Sequence, residues 1–335
     1  MHTHYYRLGD GLFQECFGLG PAQLQPGQRF VHRPGLTLSQ QDNAEEALDT
    51  VNAALIHYDA HYADQTVWKQ PLMVSTVTLQ RVIGMTSKTF GRRRRIVRFA
   101  SLAMKKPVFG GDTLYAETEV LALDGLQAGL RTRGLNQRGE IVAELDWTIE
   151  LLPQGLDHPV LEPRFASHRQ RADGAWIEQT GLFFEDLREG ETYVHWPRRS
   201  VLAEESIRVA LRAMDISPEF HDLSLAQAQG LAHPAVPQTW LIALVTPLTT
   251  RTLGRVNANL GWKDVEFGVD VRPGDTIEAR STIRGLRDSS SRPQEGLATV
   301  YTEARNQRDE VVLSYTRTLL VYRREADNPY AAAGY

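Results

Sequence analysis

Three ionisable side chains crowd one short stretch, Asn52-Ala-Ala-Leu-Ile-His57-Tyr-Asp59-Ala-His61-Tyr-Ala63. An imidazole titrates near neutrality, so His57, flanked by Ile56 and Tyr58, has the makings of a general base held by packing. Asp59 and His61 alternate with it and equally suit a solvent-facing side of the segment, and Tyr62 suits packing. A second charge feature is the run Arg92-Arg-Arg-Arg95 beside Lys88, which suits either phosphate oxygens or a solvated loop.

These residues must be positioned by something, and the composition sets the frame. A chain of 335 residues fits two domains of about 150 residues each. A formal charge of −4 supplies no basic field for nucleic acid or an anionic membrane surface, and no DNA-binding motif is present. Cys16 is the single cysteine, so an intrachain disulfide and a cysteine zinc site are both excluded. The N-terminus lacks the apolar run of a signal peptide, and apolar windows such as Trp240–Pro247 fall far short of the ~20 residues of a membrane span. The cytoplasm is the expected location. Metal-ligand spacing, a phosphate-binding glycine loop and a serine-nucleophile elbow are absent.

The chain repeats itself. Pro107-Val-Phe-Gly-Gly-Asp112-Thr-Leu recurs as Val271-Arg-Pro-Gly-Asp275-Thr-Ile, an offset of 163 residues. The same offset relates Phe30-Val-His32-Arg-Pro34 to Tyr193-Val-His195-Trp-Pro197, and Thr89-Phe-Gly91 to Thr252-Leu-Gly254. A shared structural role accounts for the repeated His32 and His195 as well as chemistry does. Beyond the polar insertion at Asp288–Pro293 the offset grows to 170, where Asn136-Gln-Arg-Gly-Glu140 matches Asn306-Gln-Arg-Asp-Glu310. The spacing predicts a duplicated domain, residues 1–155 and 177–335, joined by a Pro-, Gly- and charge-rich linker over 156–176.

Each copy reads as a β-like run (Arg29–His32; Thr192–His195), a capped helix start (Ser39–Asp42; Ala203–Ser206) and an apolar helical run (Val77–Met85; Trp240–Val245). Strands with period-two alternation follow, such as Thr113–Val120, Ile141–Ile149 and Val311–Leu320. One helix followed by several antiparallel strands is an α+β pattern, a curved sheet around a central helix.

Thr37-x-Ser39-x-x-Asp42, Ile56-His57-x-Asp59-x-x-Tyr62-Ala63 and Pro107-Val-Phe-x-Gly-Asp-Thr-Leu114 together resemble the MaoC-like family of acyl-thioester hydratases and dehydratases. Asn257-Ala-Asn-Leu-Gly-Trp262 and the Ser291-Arg-Pro insertion resemble its mesaconyl-CoA hydratase and β-methylmalyl-CoA dehydratase branch. The resemblance implies a tandem hot-dog fold and reversible hydration of an α,β-unsaturated acyl-CoA, a short branched or dicarboxylic one such as mesaconyl-CoA. It implies no cofactor, with coenzyme A entering as part of the substrate. A homodimer is the default assembly for such sheets.

The family signature is an acid and a histidine five residues apart. Here Asn52 precedes His57 by five, whereas the second copy has Asp215 at the equivalent of Asn52 and carries His221 one position late. Hydration needs a base, an acid, and donors for the thioester oxygen as enolate charge develops. The expected catalytic residues are His57 and Asn52, with Asp215 and His221 as a diverged second site. The expected substrate contacts are Asp59, the helix start at Ser75 and Thr76, and Arg92 and Arg93 for the coenzyme A phosphates. Two other readings fit the same fold: an acyl-CoA thioesterase, and a non-catalytic acyl-CoA-binding or partner-stabilising protein, which the two incomplete motifs would suit.

Overall fold

The computed structural model describes residues 2–153 and 160–335. In chain order the first half holds β1 (Tyr5–Gly9), β2 (Leu12–Glu15), β3 (Arg29–Thr37), α1 (Gln40–Asp49), α2 (Ala60–Asp64), α3 (Ser75–Met85) and α4 (Ser87–Phe90). It continues through β4 (Arg93–Met104), β5 (Thr113–Asp124), β6 (Gln127–Leu135) and β7 (Ile141–Leu151). Then come β8 (His168–Gln170), β9 (Trp176–Glu178), β10 (Thr192–Val194), β11 (Arg199–Ser200), α5 (Ala203–Arg212), α6 (Leu223–Ala228), α7 (Gln238–Leu248) and α8 (Thr250–Leu253). The chain closes with β12 (Val256–Phe267), β13 (Thr276–Asp288), β14 (Glu295–Arg305), β15 (Val311–Tyr322) and α9 (Pro329–Ala332).

Each half is the expected sheet wrapped around a central helix, the hot-dog arrangement. In the first, α3 lies across β3, β5, β6 and β7 and buries Val77, Thr78 and Val82, while the alternating strand residues Leu130, Leu145, Trp147 and Ile149 face inward. In the second, α7 buries Trp240, Leu241, Leu244 and Val245 against Ile277, Ala304 and Tyr315. Burying each such side chain stabilises the unit by roughly 1.5–3 kcal/mol. The repeated Gly-Asp-Thr turns serve the fold. Gly111 and Gly274 take φ of 95° and 100°, where a side chain would be strained, and the next residue, Asp112 or Asp275, accepts from the backbone N–H of Phe109 or Arg272. At α1, Ser39 and Asp42 form the expected capping box. At α5 no side chain caps the helix, because Leu202 occupies the cap position and Ser206 is buried inside the helix.

The sheets depart from the expected purely antiparallel order. The first runs β4-β7-β6-β5-β3-β9-β8, and the second β1-β2-β10-β13-β14-β15-β12 with β11 on β13. Each half therefore contributes its opening hairpin to the other's sheet, and the junctions are parallel: β3 with β9 (Phe30↔Trp176) and β2 with β10 (Phe13↔Tyr193). Residues 156–159 of the expected linker lie outside the described residues. Within the rest of it, residues 168–170 form β8 and Trp176 starts β9, both paired into the first sheet.

Two mirror-image polar clusters fasten this exchange. His32 Nδ1 is 2.8 Å from Glu178 Oε1 and its Nε2 is 2.8 Å from Thr118 Oγ1; His195 Nδ1 is 2.9 Å from Glu15 Oε1 and its Nε2 is 2.9 Å from Ser281 Oγ. Thr89 and Thr252 donate to the same carboxylates, as do the backbone N–H groups of Arg33 and Trp196. Both histidines and both glutamates are buried, a state tolerable only because every carboxylate oxygen is matched. The repeated histidines are thus structural.

Candidate active site

The segment between α1 and α3 takes the same path in both halves. A left-handed residue, Val51 or Met214, ends the preceding helix. The next side chain then folds back on its own turn: Asn52 Oδ1 accepts from Ala54 N at 3.0 Å, and Asp215 Oδ1 from Ser217 N at 3.1 Å. The Ser217 hydroxyl first, and that backbone bond second, hold the Asp215 carboxyl below its usual range. A 3-10 turn follows, Leu55–His57 in one half and Pro218–Phe220 in the other, and then an aspartate cap, Asp59 on α2 or Asp222 on α6.

His57 has a defined tautomer. Its Nδ1 lies 2.8 Å from the Leu72 carbonyl oxygen, which can only accept, so Nδ1 carries the proton and Nε2 keeps its lone pair. The turn bearing it is held by Asn43, which is wholly buried. Asn43 Nδ2 donates to the carbonyls of His57 (2.8 Å) and Leu72 (3.0 Å), and its Oδ1 accepts from Val74 N (2.8 Å), the cap residue of α3. One amide thus couples the histidine to the start of the central helix. Within the first turn of α3, the backbone N–H groups of Ser75 and Thr76 have no partner among the described residues, and both residues are exposed.

Beside them is a cleft of about 240 Å³ walled by Leu72, Ser75 and Thr78 on one side and Met104, Lys105 and Lys106 on the other. Leu72, whose carbonyl fixes His57, is part of that wall. Lys106 is paired with Glu140 at 2.6 Å; Lys105 has no carboxylate within 4.0 Å among the described residues.

The second half has the matching cleft, about 390 Å³, without the counterparts of His57, Thr78 and the two lysines. Phe220 stands where His57 does, Leu241 replaces Thr78, Gly268 and Val269 replace the two lysines, and Ser206, at the position of Asn43, has an unpartnered Oγ. His221 corrects the sequence expectation: it occupies the position of Tyr58, and its Nε2 is bonded to the Ile216 carbonyl at 3.0 Å on its own turn. The structure brings together His57, Ser75 and Thr76 through Asn43, places Asn52 on the adjoining turn, and leaves Asp215 and His221 in the other half.

Two further expectations change. The Asp59 carboxylate caps α2 by accepting from Tyr62 N at 2.9 Å. Arg92 and Arg93 lie at the far end of β4 from Met104, roughly 35 Å along a 12-residue strand. There Arg92 donates to the Pro153 carbonyl, Arg93 stacks 5.3 Å from the Trp147 ring centroid, and Arg94 and Arg95 pair with Glu150. Asn43 and Lys105 were missed by the sequence reading. Comparing Asn43 with Ser206 at the 163-residue offset would have exposed the first; nothing local marks the second.

The family model for mesaconyl-CoA hydratase matches residues 162–333, and that for a MaoC-like domain matches residues 21–133. Curated relatives include a mesaconyl-CoA hydratase of Cereibacter sphaeroides, 38% identical over 160 residues, covering 45% of this chain and 44% of the relative. A β-methylmalyl-CoA dehydratase of Chloroflexus aurantiacus is 33% identical over 153 residues, covering 44% of this chain and 42% of that one. The alignments span about half the length of these curated relatives. Among solved structures, a MaoC-domain dehydratase from Chloroflexus aurantiacus aligns over 92% of this chain and 98% of its own, at 18% identity and a TM-score of 0.42.

Proposed function

Because the chain belongs to the mesaconyl-CoA hydratase family, we propose that it catalyses the reversible hydration of a short branched or dicarboxylic enoyl-CoA in the first-half cleft. The observation that carries this reading is the fixed tautomer of His57 in the one half that retains the histidine. Its free Nε2 takes a proton from water as the hydroxyl adds to the β-carbon and then delivers that proton to the α-carbon of the enolate; in the reverse direction it removes the α-proton and passes it to the departing hydroxyl. Asn52 sits on the adjoining turn and orients that water through its amide, without exchanging protons itself. The unpartnered N–H groups of Ser75 and Thr76, at the positive end of α3, face the charge that develops on the thioester oxygen. Lys105 supplies a cation for a second carboxylate on the acyl group. No cofactor is required, since proton transfer and hydrogen bonding complete the reaction. We place the enzyme in the cytoplasm as a homodimer; no helix among the described residues is long and apolar enough to cross a membrane.

The test is an absorbance screen with crotonyl-, mesaconyl- and itaconyl-CoA in both directions, with thiol release followed in parallel. Loss of enoyl absorbance without thiol, abolished in His57→Ala, is the expected result. Thiol release from saturated acyl-CoAs would make the protein a thioesterase instead.

A further inference from the structure

A cluster of four guanidiniums borders a cavity away from both clefts, at the seam where the exchanged hairpin β8-β9 and the turn after it meet the start of β12. A cavity of about 430 Å³ opens there, bordered by Arg164, Arg169, Arg255 and Arg324 but by only one carboxylate, Asp186. Asp186 is taken by Arg324 at 2.5 Å, and Arg164 is matched by Glu191 at 2.9 Å. Two guanidiniums remain without an acid. Arg169 is exposed and makes no ion pair among the described residues.

Arg255 is the more telling of the two. It is 3% exposed, yet no carboxylate lies within 4.0 Å of it among the described residues. Its Nε and Nη2 donate to the Gly181 carbonyl (3.1 Å) and Gln179 Oε1 (2.9 Å), and its planar head is stacked between Phe183 (3.9 Å) and Tyr330 (4.5 Å). Nη1 has no protein partner among the described residues. Burial is the main penalty on the Arg255 charge, which has no directly paired counter-charge among the described residues; neighbouring Arg324 and Arg169 add to the penalty and Asp186 offsets part of it. A rigid guanidinium with no salt-bridge partner at the wall of a cavity is what a phosphate-binding site requires. The same cavity wall carries the Trp176 ring and the Gln170 amide, groups that suit the face and edge of a base.

We propose that this seam cavity binds a nucleoside phosphate, with the phosphate between Arg169 and Arg255. The ligand is either a free nucleotide or the nucleotide end of a coenzyme A ester. Because the site is separate from the first-half cleft, the proposal does not depend on the hydration reading, and its test needs no turnover.

The full chain is titrated calorimetrically with inorganic phosphate, ADP, adenosine 3′,5′-bisphosphate and coenzyme A. At least one nucleotide is expected to bind more tightly than phosphate, and Arg169→Gln, a surface change that leaves the melting temperature in place, is expected to weaken it at least about tenfold. Arg255→Gln is expected to weaken it further; should that variant not fold, Arg169→Gln decides alone. ADP binding identifies a free nucleotide, whereas binding of coenzyme A and the bisphosphate without ADP identifies the coenzyme A end, and both uphold the site. Three results overturn it: no binding of any probe at millimolar concentration, unchanged binding in Arg169→Gln, or loss of binding when Ser75→Trp fills the first-half cleft.

Discussion

Replacing Asn43 by serine makes the first half match the second at one buried position. Serine is too short to span the gap, as Ser206 shows, so the carbonyls of His57 and Leu72 each lose one donor while keeping Gln40 Nε2 and His57 Nδ1, and the N–H of Val74 loses its only partner among the described residues. Three hydrogen bonds at a net ~1 kcal/mol each give a loss of about 3 kcal/mol, with the orphaned Val74 N–H supplying the largest share. In thermal unfolding that is a drop of roughly 5–10 °C. Catalysis should suffer independently, because His57 and the helix start that holds the oxyanion donors are no longer coupled. A displacement of about 1 Å between base and substrate is enough to lower kcat about a hundredfold. Urea denaturation and steady-state hydration kinetics measure the two effects. A variant that stays within 1 kcal/mol of wild type and within twofold in kcat would falsify the assignment of Asn43 as the coupling residue.

Three more outcomes are expected. His57→Ala should lower kcat by roughly 10²–10⁴-fold, whereas Asp215→Ala, which removes one exposed turn bond, should leave it within twofold; the reverse pattern in the same hydration assay would move the active site to the second half. Burial alone would raise the Glu178 pKa, but the charge and hydrogen bond of His32, with His168 and Lys88, bring it down from 4.5 to about 2. As pH falls the unfolded chain therefore takes up the proton first: the stability Glu178 contributes is complete above pH 4.5 and lost as pH drops toward 2. Urea midpoints measured down that range should fall for wild type and fall less for Glu178→Gln, which is also about 3 kcal/mol weaker at neutral pH. Finally, Lys105→Met should raise KM about tenfold for mesaconyl-CoA and leave crotonyl-CoA unaffected; equal losses on both would reassign Lys105 to the coenzyme A phosphates.

The fold was legible because the apolar periodicities of the two central helices and the alternating strands are local properties, and because duplication repeats them. His57 was legible for the same reason, through its motif. What sequence could not show depends on contacts between distant residues. The partners of His32 and His195 are Glu178 and Glu15, more than 140 residues away in each case, and neither glutamate stands in a motif. The arginine run looked like a phosphate grip because spacing reports charge density without direction; in space Glu150, Trp147 and Pro153 absorb it. Arg255 attracted no attention as a solitary arginine, and only burial without an acid gives it meaning.

The hairpin exchange also dictates how this molecule can be made. Strand β2 is synthesised some 180 residues before its partner Thr192–Val194, and β3 waits for Trp176 and Ile177. During translation the first sheet stays open at one edge until the second half has begun, and the β1-β2 hairpin finds no sheet until Thr192–Val194 emerges shortly afterwards. Cutting the gene between the repeats would thus yield two fragments, each with the wrong hairpin and an exposed strand edge. Co-expressed, the two pieces should recover solubility that neither has alone.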